Sequence, residues 1–481
     1  MTHEQSDQRG HGQHVVRSDL GGVVADGPGS TLAAIVHLSD LHVLDAASPA
    51  RAEWVELEAH DPHWRPLLHL HRPYDALTGF AVHAHVRRIA ASPMGPVTGR
   101  AFDIAVSSGD NIDNAQRNEL DAYLALIAGG TAHLDAHGSA QEARSDVFDG
   151  PWPYWSPDAA VTDSWRSLGY PVVDDFIARA SSPIVSHGIG MPWTSVPGNH
   201  DLMMQGTALP NDAMDALAVA AAKSLRGPAG FRPADPLTAY LEAPEDFSAG
   251  PTFPIVADPD RRSIDRREWL QAHLDAGAIG YTPANVRAGS ADTFVDLVHV
   301  RLVLLDTNHP DGDYQGSIGV QQLDWLDEQL TEVGTTGRLA VLVSHHGAGS
   351  LVNDRGHDPD RRLAPALVDR VHRHPCVVAW LVGHRHINRI EPRPGPSGGF
   401  WEITTASIID WPSQTRAVEI IRHTDGAVEL VCTLLDHHDE PGGLATLHRD
   451  LAHRFTTTGV ATRMAGGDGD GNVRLLLPPR A

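Results

Sequence analysis

The chain contains almost no lysine, little cysteine and no long apolar run. Lys223 is the only lysine. The chain has 37 basic and 61 acidic residues, which gives a formal net charge of −24. Proteins bind a nucleic-acid backbone through Lys and Arg, so this charge disfavours DNA or RNA as a substrate. No run reaches the roughly 18 apolar residues of a membrane span. We therefore expect neither a nucleic-acid nor a membrane partner.

The two cysteines, Cys376 and Cys432, lie beside or within apolar runs. Cysteines in such positions usually behave as small buried hydrophobic residues. A disulfide bond between the two is the alternative interpretation. Residues 1–30 are polar and contain no apolar signal core and no twin arginine. We therefore expect a flexible amino-terminal segment over residues 1–30 and a cytoplasmic location.

Five short apolar runs each end in a polar motif. Val, Ile and Leu dominate these runs, as is typical of strands that are buried on both faces. The runs are Leu32–Leu38, Phe102–Val106, Trp193–Val196, Leu339–Val343 and Val377–Val382. Ligands of open α/β proteins bind beyond the carboxyl ends of their strands. Motifs that are distant in sequence can therefore converge on one place.

The motifs supply carboxylate, imidazole and amide oxygen, a ligand set suited to two hard-to-borderline divalent metals. They are Asp40-Leu41-His42, Gly109-Asp110, Gly198-Asn199-His200-Asp201, Ser344-His345-His346 and Gly383-His384-Arg385-His386. A single Asp-x-His or Gly-Asp is usually a turn, and isolated histidines are often surface residues. Five such motifs in order, each after a predicted strand, favour a dinuclear metal site instead.

The order and spelling of the motifs resemble the calcineurin-like metallophosphoesterase family over roughly residues 31–422. The resemblance implies an α/β fold with four layers, α/β/β/α, and hydrolysis of a phosphoester by a hydroxide that bridges two metals about 4 Å apart. Long insertions and the stretch Trp401–Ser407 are similar to an actinobacterial-type subgroup of this family.

Carried over to this chain, the resemblance implies two metal sites that share one carboxylate. The ligands of the first metal are Asp40, His42, Asp110 and His386. The ligands of the second metal are Asp110, Asn199, His345 and His384. His345 directly follows its strand and is preferred as a ligand, with His346 as the alternative. This mixture of oxygen and nitrogen suits Mn, Fe, Zn or Co better than Ca or Mg.

His200 resembles the family histidine that is not a metal ligand. It would donate a proton to the leaving oxygen or stabilise the phosphate, and Asp201 would orient its ring. In the second motif, Asp113 and Asn114 either order the loop or contact substrate. The candidate substrate contacts are Asn111, Asn114, His309, His346 and Arg385.

The spacing of the motifs predicts inserted material within a catalytic domain over residues 31–435. The gaps between Asp40, Asp110, Asn199 and His345 all exceed the roughly 30 residues of a βα crossover. Insertions are predicted at about 48–73, 131–187 and 202–292, where they would overhang the strand ends and control substrate access. Residues 436–481 are expected to form a tail that packs on the core.

We therefore expect a metal-dependent phosphoesterase that hydrolyses a small phosphodiester or phosphomonoester. Cyclic nucleotides and glycerophosphodiesters are candidate substrates, and a dedicated cyclic-nucleotide phosphodiesterase is one alternative. A non-catalytic scaffold that keeps the fold for protein binding is another, but all seven ligand positions and His200 are filled. A nuclease is disfavoured by the charge of the chain.

Overall fold

Two β-sheets face each other in the computed structural model, which describes residues 14–25, 27–143, 148, 150–437, 439–459 and 464–480. The strands are β1 (Val15–Arg17), β2 (Gly29–Leu38), β3 (Ile104–Ser107), β4 (Gly130–Ala132), β5 (Ile184–Ser186), β6 (Trp193–Ser195), β7 (Ala222–Ser224), β8 (Thr252–Pro254), β9 (Thr293–Asp296), β10 (Val300–Leu305), β11 (Ile318–Gly319), β12 (Leu339–Ser344), β13 (Arg361–Arg362), β14 (Val377–Val382), β15 (Arg389–Arg393), β16 (Phe400–Thr404), β17 (Gln414–His423), β18 (Val428–Asp436) and β19 (Val473–Leu477). The helices are α1 (Thr78–Ala91), α2 (Arg117–Ala128), α3 (Phe176–Ala180), α4 (Asn199–Leu202), α5 (Asp212–Ala218), α6 (Pro236–Glu242), α7 (Arg266–Asp275), α8 (Pro283–Ala288), α9 (Val320–Thr335), α10 (Ala364–Val371) and α11 (Leu444–Phe455).

Each of the five motifs follows a strand that has at least one parallel neighbour in its sheet. The first sheet has the order β1-β19-β18-β17-β2-β3-β6, in which β2, β3 and β6 are parallel. The second sheet has the order β15-β16-β14-β12-β10-β9, in which β16, β14, β12 and β10 are parallel. Because parallel strands end at the same edge of a sheet, three motifs meet at the edge of the first sheet and two at the edge of the second.

Apolar side chains fill the spaces on both faces of each sheet. Ile35 and Leu304 belong to the fully buried cluster between the two sheets. The next residue along β2, Val36, packs with α1, α2 and α7, while Val303 packs with α9 and α10. Since successive side chains of a strand point to opposite faces, burial on both faces explains the continuous apolar runs. The predicted four-layer α/β/β/α sandwich is confirmed.

Part of the predicted amino-terminal segment belongs to the first sheet. Val15 pairs with Val473, so that β1 adds a parallel edge strand beside β19, and β2 already begins at Gly29. The expectation of a flexible segment over residues 1–30 is therefore wrong for β1, because backbone hydrogen bonds hold it to the sheet. Residues 1–13 and 26 lie outside the described part. The carboxyl-terminal tail supplies α11, which packs on α1, and β19, which pairs with β18.

The three insertions pack on one another and on the core. Trp54 of the first insertion donates a hydrogen bond from Nε1 to the carbonyl oxygen of Phe247 in the third insertion, over 2.7 Å. Trp155 of the second insertion is buried in one apolar cluster with Tyr74 and Leu451. Control of substrate access by the insertions remains a prediction. None of the helices in the described part is long and apolar enough to cross a membrane.

We predict that Leu304→Ala lowers the free energy of unfolding by about 2–5 kcal/mol, because the substitution leaves a cavity between the sheets. Leu304 is 0% exposed, whereas Leu168 is 43% exposed, so that Leu168→Ala is a matched control with a clearly smaller expected loss. Equilibrium unfolding in urea measures both variants. Equal losses would contradict the assignment of Leu304 to the layer between the sheets.

Candidate metal centre

Five of the predicted metal ligands have a left-handed backbone conformation just beyond their strands. Their φ angles are 49° for Asp40, 45° for His42, 51° for Asp110, 66° for His384 and 52° for His386. Residues other than glycine rarely adopt this conformation, and it costs on the order of 1 kcal/mol or more. The surrounding structure therefore holds these turns in a conformation that brings the side chains together at the ends of the strands.

The four predicted ligands of the first metal form one group. The ligand atoms of Asp40, His42, Asp110 and His386 all lie within 4.8 Å of one another. His42 Nε2 is 3.3 Å from His386 Nε2 and 3.7 Å from Asp110 Oδ2. His386 Nε2 is 3.3 Å from Asp40 Oδ1. The structure thus brings together the complete set that the resemblance implied for this site.

The hydrogen bonds of the two imidazoles suit a cation between them. His42 Nδ1 donates to Asp113 Oδ1 over 2.8 Å, and His386 Nδ1 donates to Asp410 Oδ2 over 2.6 Å. Since ionised carboxylates only accept hydrogen bonds, each Nδ1 carries a proton, and Nε2 is the ring atom that would bind a cation. Burial lowers the pKa of His386, but Asp40 and Asp410 raise it to about 10, so this place attracts positive charge.

The predicted ligands of the second metal are also adjacent. His345 Nε2 is 2.9 Å from Asn199 Oδ1 and 3.1 Å from Asp110 Oδ2. His384 Nδ1 is 3.2 Å from Asn199 Oδ1 and 3.3 Å from His345 Nε2. Asp110 Oδ2 therefore lies beside an imidazole of each group, which is the position of a carboxylate shared by two metals.

Acceptors face one another in the second group as well. His345 Nδ1 donates to the carbonyl oxygen of Ser108 over 2.9 Å, so that Nε2 is the ring atom that faces Asn199 and Asp110. Asn199 Nδ2 donates to the carbonyl oxygen of Gly206 over 2.9 Å, which directs Oδ1 towards the same place. A lone pair and an amide oxygen at 2.9 Å repel each other unless a cation or a proton lies between them. The donor set of both groups therefore fits metal ions.

The ring of His346 is occupied by other contacts. Its Nδ1 accepts from Thr307 Oγ1 over 2.9 Å, and its Nε2 donates to the carbonyl oxygen of Tyr314 over 3.0 Å. His345, whose Nε2 faces Asp110, thus has the ligand position that was preferred from the sequence. His346 supports the loop around Tyr314, and neither ring nitrogen is left for a substrate.

His200 lies beside the two groups with a carboxylate that differs from the expected one. Its Nδ1 donates to the carbonyl oxygen of Asp113 over 2.8 Å and lies 3.2 Å from Asp113 Oδ1. Its backbone N–H donates to Asp110 Oδ1 over 2.8 Å. Burial lowers the pKa of His200, but Asp110 and Asp113 raise it above its usual value. The sequence had named Asp113 only as a residue that orders the loop or contacts substrate.

Asp201 does not orient His200, and the sequence-based prediction is wrong in this respect. Asp201 Oδ2 accepts from the backbone N–H of Gly198 over 2.8 Å and from that of Asn111 over 3.2 Å. Its Oδ1 accepts from Trp269 Nε1 over 3.3 Å. Asp201 is the third residue of α4, so its carboxylate turns back to cap the amino end of that helix.

The candidate substrate contacts divide into buried and exposed residues. Asn111 Oδ1 accepts from Ser107 Oγ over 2.6 Å, and Asn114 Nδ2 donates to Glu119 Oε1 over 2.7 Å, so both buried side chains order the second motif. His309 is buried and its Nδ1 accepts from the backbone of Asp311. Arg385 is exposed between two metal-ligand positions and has no ion pair with any residue of the described part. Of these candidates, Arg385 is the one available to an anion.

A second carboxylate beside the metal groups, that of Asp410, has no signal in the sequence. It lies outside all five motifs and accepts from His386, from Tyr74 Oη over 2.7 Å and from Arg72 Nε over 2.7 Å. Arg72 and Arg51 come from the first insertion, and Arg51 Nη1 donates to Asp113 Oδ2. An acidic residue between apolar positions has no distinctive spacing, so only the folded chain shows its role.

Comparisons with known proteins agree with this geometry. No family model matches the chain. Two relatives named manganese-dependent ADP-ribose/CDP-alcohol diphosphatase match over 106 residues, or 22% of this chain. The protein from Xenopus tropicalis is 30% identical over 29% of its length, and that from Xenopus laevis is 28% identical over 28% of its length. The match therefore spans less than a third of each relative.

A crystal structure of a dimetal phosphatase from Danio rerio aligns with 84% of this chain and 96% of its own. Its sequence identity is 13% and its TM-score 0.42, a likeness too remote to support an argument. The motif order, the two facing sheets, the position of Asp110 between the two groups and the partial match to the two relatives agree with the resemblance to the calcineurin-like metallophosphoesterases. The narrower actinobacterial-type subgroup remains a prediction.

We predict that Asp110→Asn lowers the occupancy of both metals, because one oxygen of Asp110 serves both groups. Metal analysis of the purified protein should find about two ions per chain in the wild type and fewer in the variant. Asp121→Asn, at an exposed carboxylate paired with Arg117, is the matched control and should keep both ions. An unchanged metal count in Asp110→Asn would contradict the shared position.

Proposed function

We propose that the chain is a dinuclear metal-dependent hydrolase of small phosphoesters. The observation that carries the proposal is the pair of donor groups that meet at Asp110, each with imidazole Nε2 atoms directed inwards. One metal would be held by Asp40, His42, Asp110 and His386, and the other by Asp110, Asn199, His345 and His384. Two such metals supply Lewis-acid polarisation of a phosphoryl group and activation of water at neutral pH. Manganese is the first metal to test, since the two relatives are named for it.

His200 is the proposed general acid of this reaction. Because its Nδ1 donates to the carbonyl oxygen of Asp113, its Nε2 is the atom that can give a proton to a leaving oxygen. Asp110 and Asp113 favour the protonated ring electrostatically, and the hydrogen bond to Asp113 fixes the orientation of the ring. His200 would thus carry the proton and hold it on the ring atom that faces the leaving oxygen.

Arg385 is the proposed contact for the phosphate of the substrate. Its exposed guanidinium lies between His384 and His386 in sequence, and planar guanidinium groups suit phosphate oxygens. Small phosphodiesters and phosphomonoesters, including cyclic nucleotides, are the proposed substrates. Diphosphate-linked nucleotides join this group because of the names of the two relatives. A cytoplasmic location remains a prediction from the sequence.

A panel of phosphomonoesters, phosphodiesters, cyclic nucleotides and nucleoside diphosphate derivatives tests the proposal. We expect turnover of at least one class after reconstitution with Mn, Fe, Zn or Co, and loss of turnover after removal of the metals by a chelator. Arg385→Ala should raise KM for that substrate and leave the metal content unchanged. A protein that holds two metals but hydrolyses no member of the panel would favour the scaffold alternative.

We predict that His200→Ala keeps both metals but lowers kcat by about 10²–10⁴-fold, the usual contribution of general acid catalysis. The loss should be smaller for nitrophenyl esters, whose leaving group needs little protonation. Steady-state kinetics with a series of leaving groups and metal analysis of the same samples measure both effects. Equal losses for good and poor leaving groups, or loss of a metal, would contradict the acid role.

A further inference from the structure

The first insertion reaches the first metal site from both of its ends. Its early residue Arg51 pairs with Asp113, and its late residue Arg72 pairs with Asp410. Asp113 and Asp410 are the carboxylates that accept from His42 and His386, respectively. Each imidazole of the first site is therefore connected through one carboxylate to one arginine of the same insertion.

The connection from Arg51 through Asp113 to His42 is buried. Besides Asp113, its guanidinium donates to Asp75 Oδ2 over 2.5 Å and to Glu53 Oε1 over 3.2 Å. The single lysine of the chain, Lys223, is 0% exposed and donates to the same oxygen of Glu53 over 2.9 Å. Because these charged groups are buried and paired with one another, none of them can turn freely. The position of Asp113 Oδ1 opposite His42 is therefore restricted.

The connection from Arg72 through Asp410 to His386 begins with a bidentate contact. Arg72 Nε donates to Asp410 Oδ1 over 2.7 Å, and its Nη2 donates to Asp410 Oδ2 over 3.0 Å. Tyr74 Oη donates to Asp410 Oδ1 over 2.7 Å. Such a bidentate contact fixes the plane of a carboxylate as well as its position. Asp410 Oδ2 is thereby aimed at Nδ1 of His386.

Among the described residues, no arginine of an insertion supports the second metal site in this way. The ring of His345 is oriented by the carbonyl oxygen of Ser108, and the amide of Asn199 by that of Gly206. Backbone carbonyl groups, one of them at the end of β3, thus orient these two ligands. The two sites therefore differ in what fixes their ligands, namely buried ion pairs in one and backbone groups in the other.

We propose that Arg51 and Arg72 act as a clamp that sets the geometry and the metal affinity of the first site alone. Both are positioning residues, because each acts through a carboxylate on an imidazole and neither touches the metal position. The clamp rests on the proposed dinuclear centre, and it assigns to the first insertion a role other than control of substrate access. Loss of such outer partners typically lowers metal affinity by about 10–100-fold.

Metal titration of the metal-free protein in competition with a chelator tests the clamp. His345→Ala and His42→Ala serve as backgrounds in which mainly the first or mainly the second site remains. Arg72→Met and Arg51→Met should each weaken binding of Mn²⁺ by about 10–100-fold in the His345→Ala background. The same substitutions should leave binding in the His42→Ala background within about twofold, since His386 and Asp113 lie outside the second site.

Two further variants keep the result independent of folding. Tyr74→Phe removes only the hydroxyl donor to Asp410 and should weaken the first site in the same direction by a smaller factor. Arg301→Met removes a buried arginine of β10 that pairs with Asp296 of β9 and Glu332 of α9, and it should leave both sites unchanged. Equal weakening of both sites, or no weakening by either clamp variant, would overturn the clamp. A wild-type protein that binds fewer than two ions would instead overturn the dinuclear centre.

Discussion

The structure depends on the compensation of carboxylates that are buried beside one another. Asp40, Asp110 and Asp113 are all buried. Burial of an uncompensated charge in the protein interior costs several kcal/mol. Backbone N–H groups meet part of this cost: that of His384 donates to Asp40 over 3.0 Å and that of His200 to Asp110 over 2.8 Å. The left-handed turns beyond the strands bring these donors within reach. Imidazoles and metal ions would supply the remaining positive charge.

The need to pair buried charges also explains why charged side chains of the insertions lie inside the protein. Arg51 and Lys223 belong to two different insertions, yet both are buried against the carboxylate of Glu53. Breaking such a buried network is costly because it leaves an unpaired charge, so the insertions are joined to the core electrostatically as well as by their tryptophans. A chain with one lysine thus places it where its charge is paired inside the protein.

The sequence predicted the strands and the grouping of the motif residues well because both leave local signals. Apolar runs located the strands, and all seven predicted ligands lie in the two donor groups. Asp201 was misassigned because adjacency in sequence suggested contact with His200, whereas the first turn of α4 directs the two side chains apart. The edge strand β1 was missed because three exposed or half-exposed residues carry no pattern of burial. Asp410 was missed because a single carboxylate without a motif has no spacing to read.

Residue types and short spacings are sufficient to predict the class of the fold, the order of the motifs and the chemical identity of the donor atoms. The folded chain was needed to show which carboxylate accepts from which imidazole and that Arg51 and Arg72 approach the same donor group. It also supports the sequence-based preference for His345 over His346 beside Asp110. These contacts are hydrogen bonds of about 3 Å between groups that lie tens or hundreds of residues apart in the chain. Their pairing follows from packing of the sheets and insertions, which no local pattern encodes.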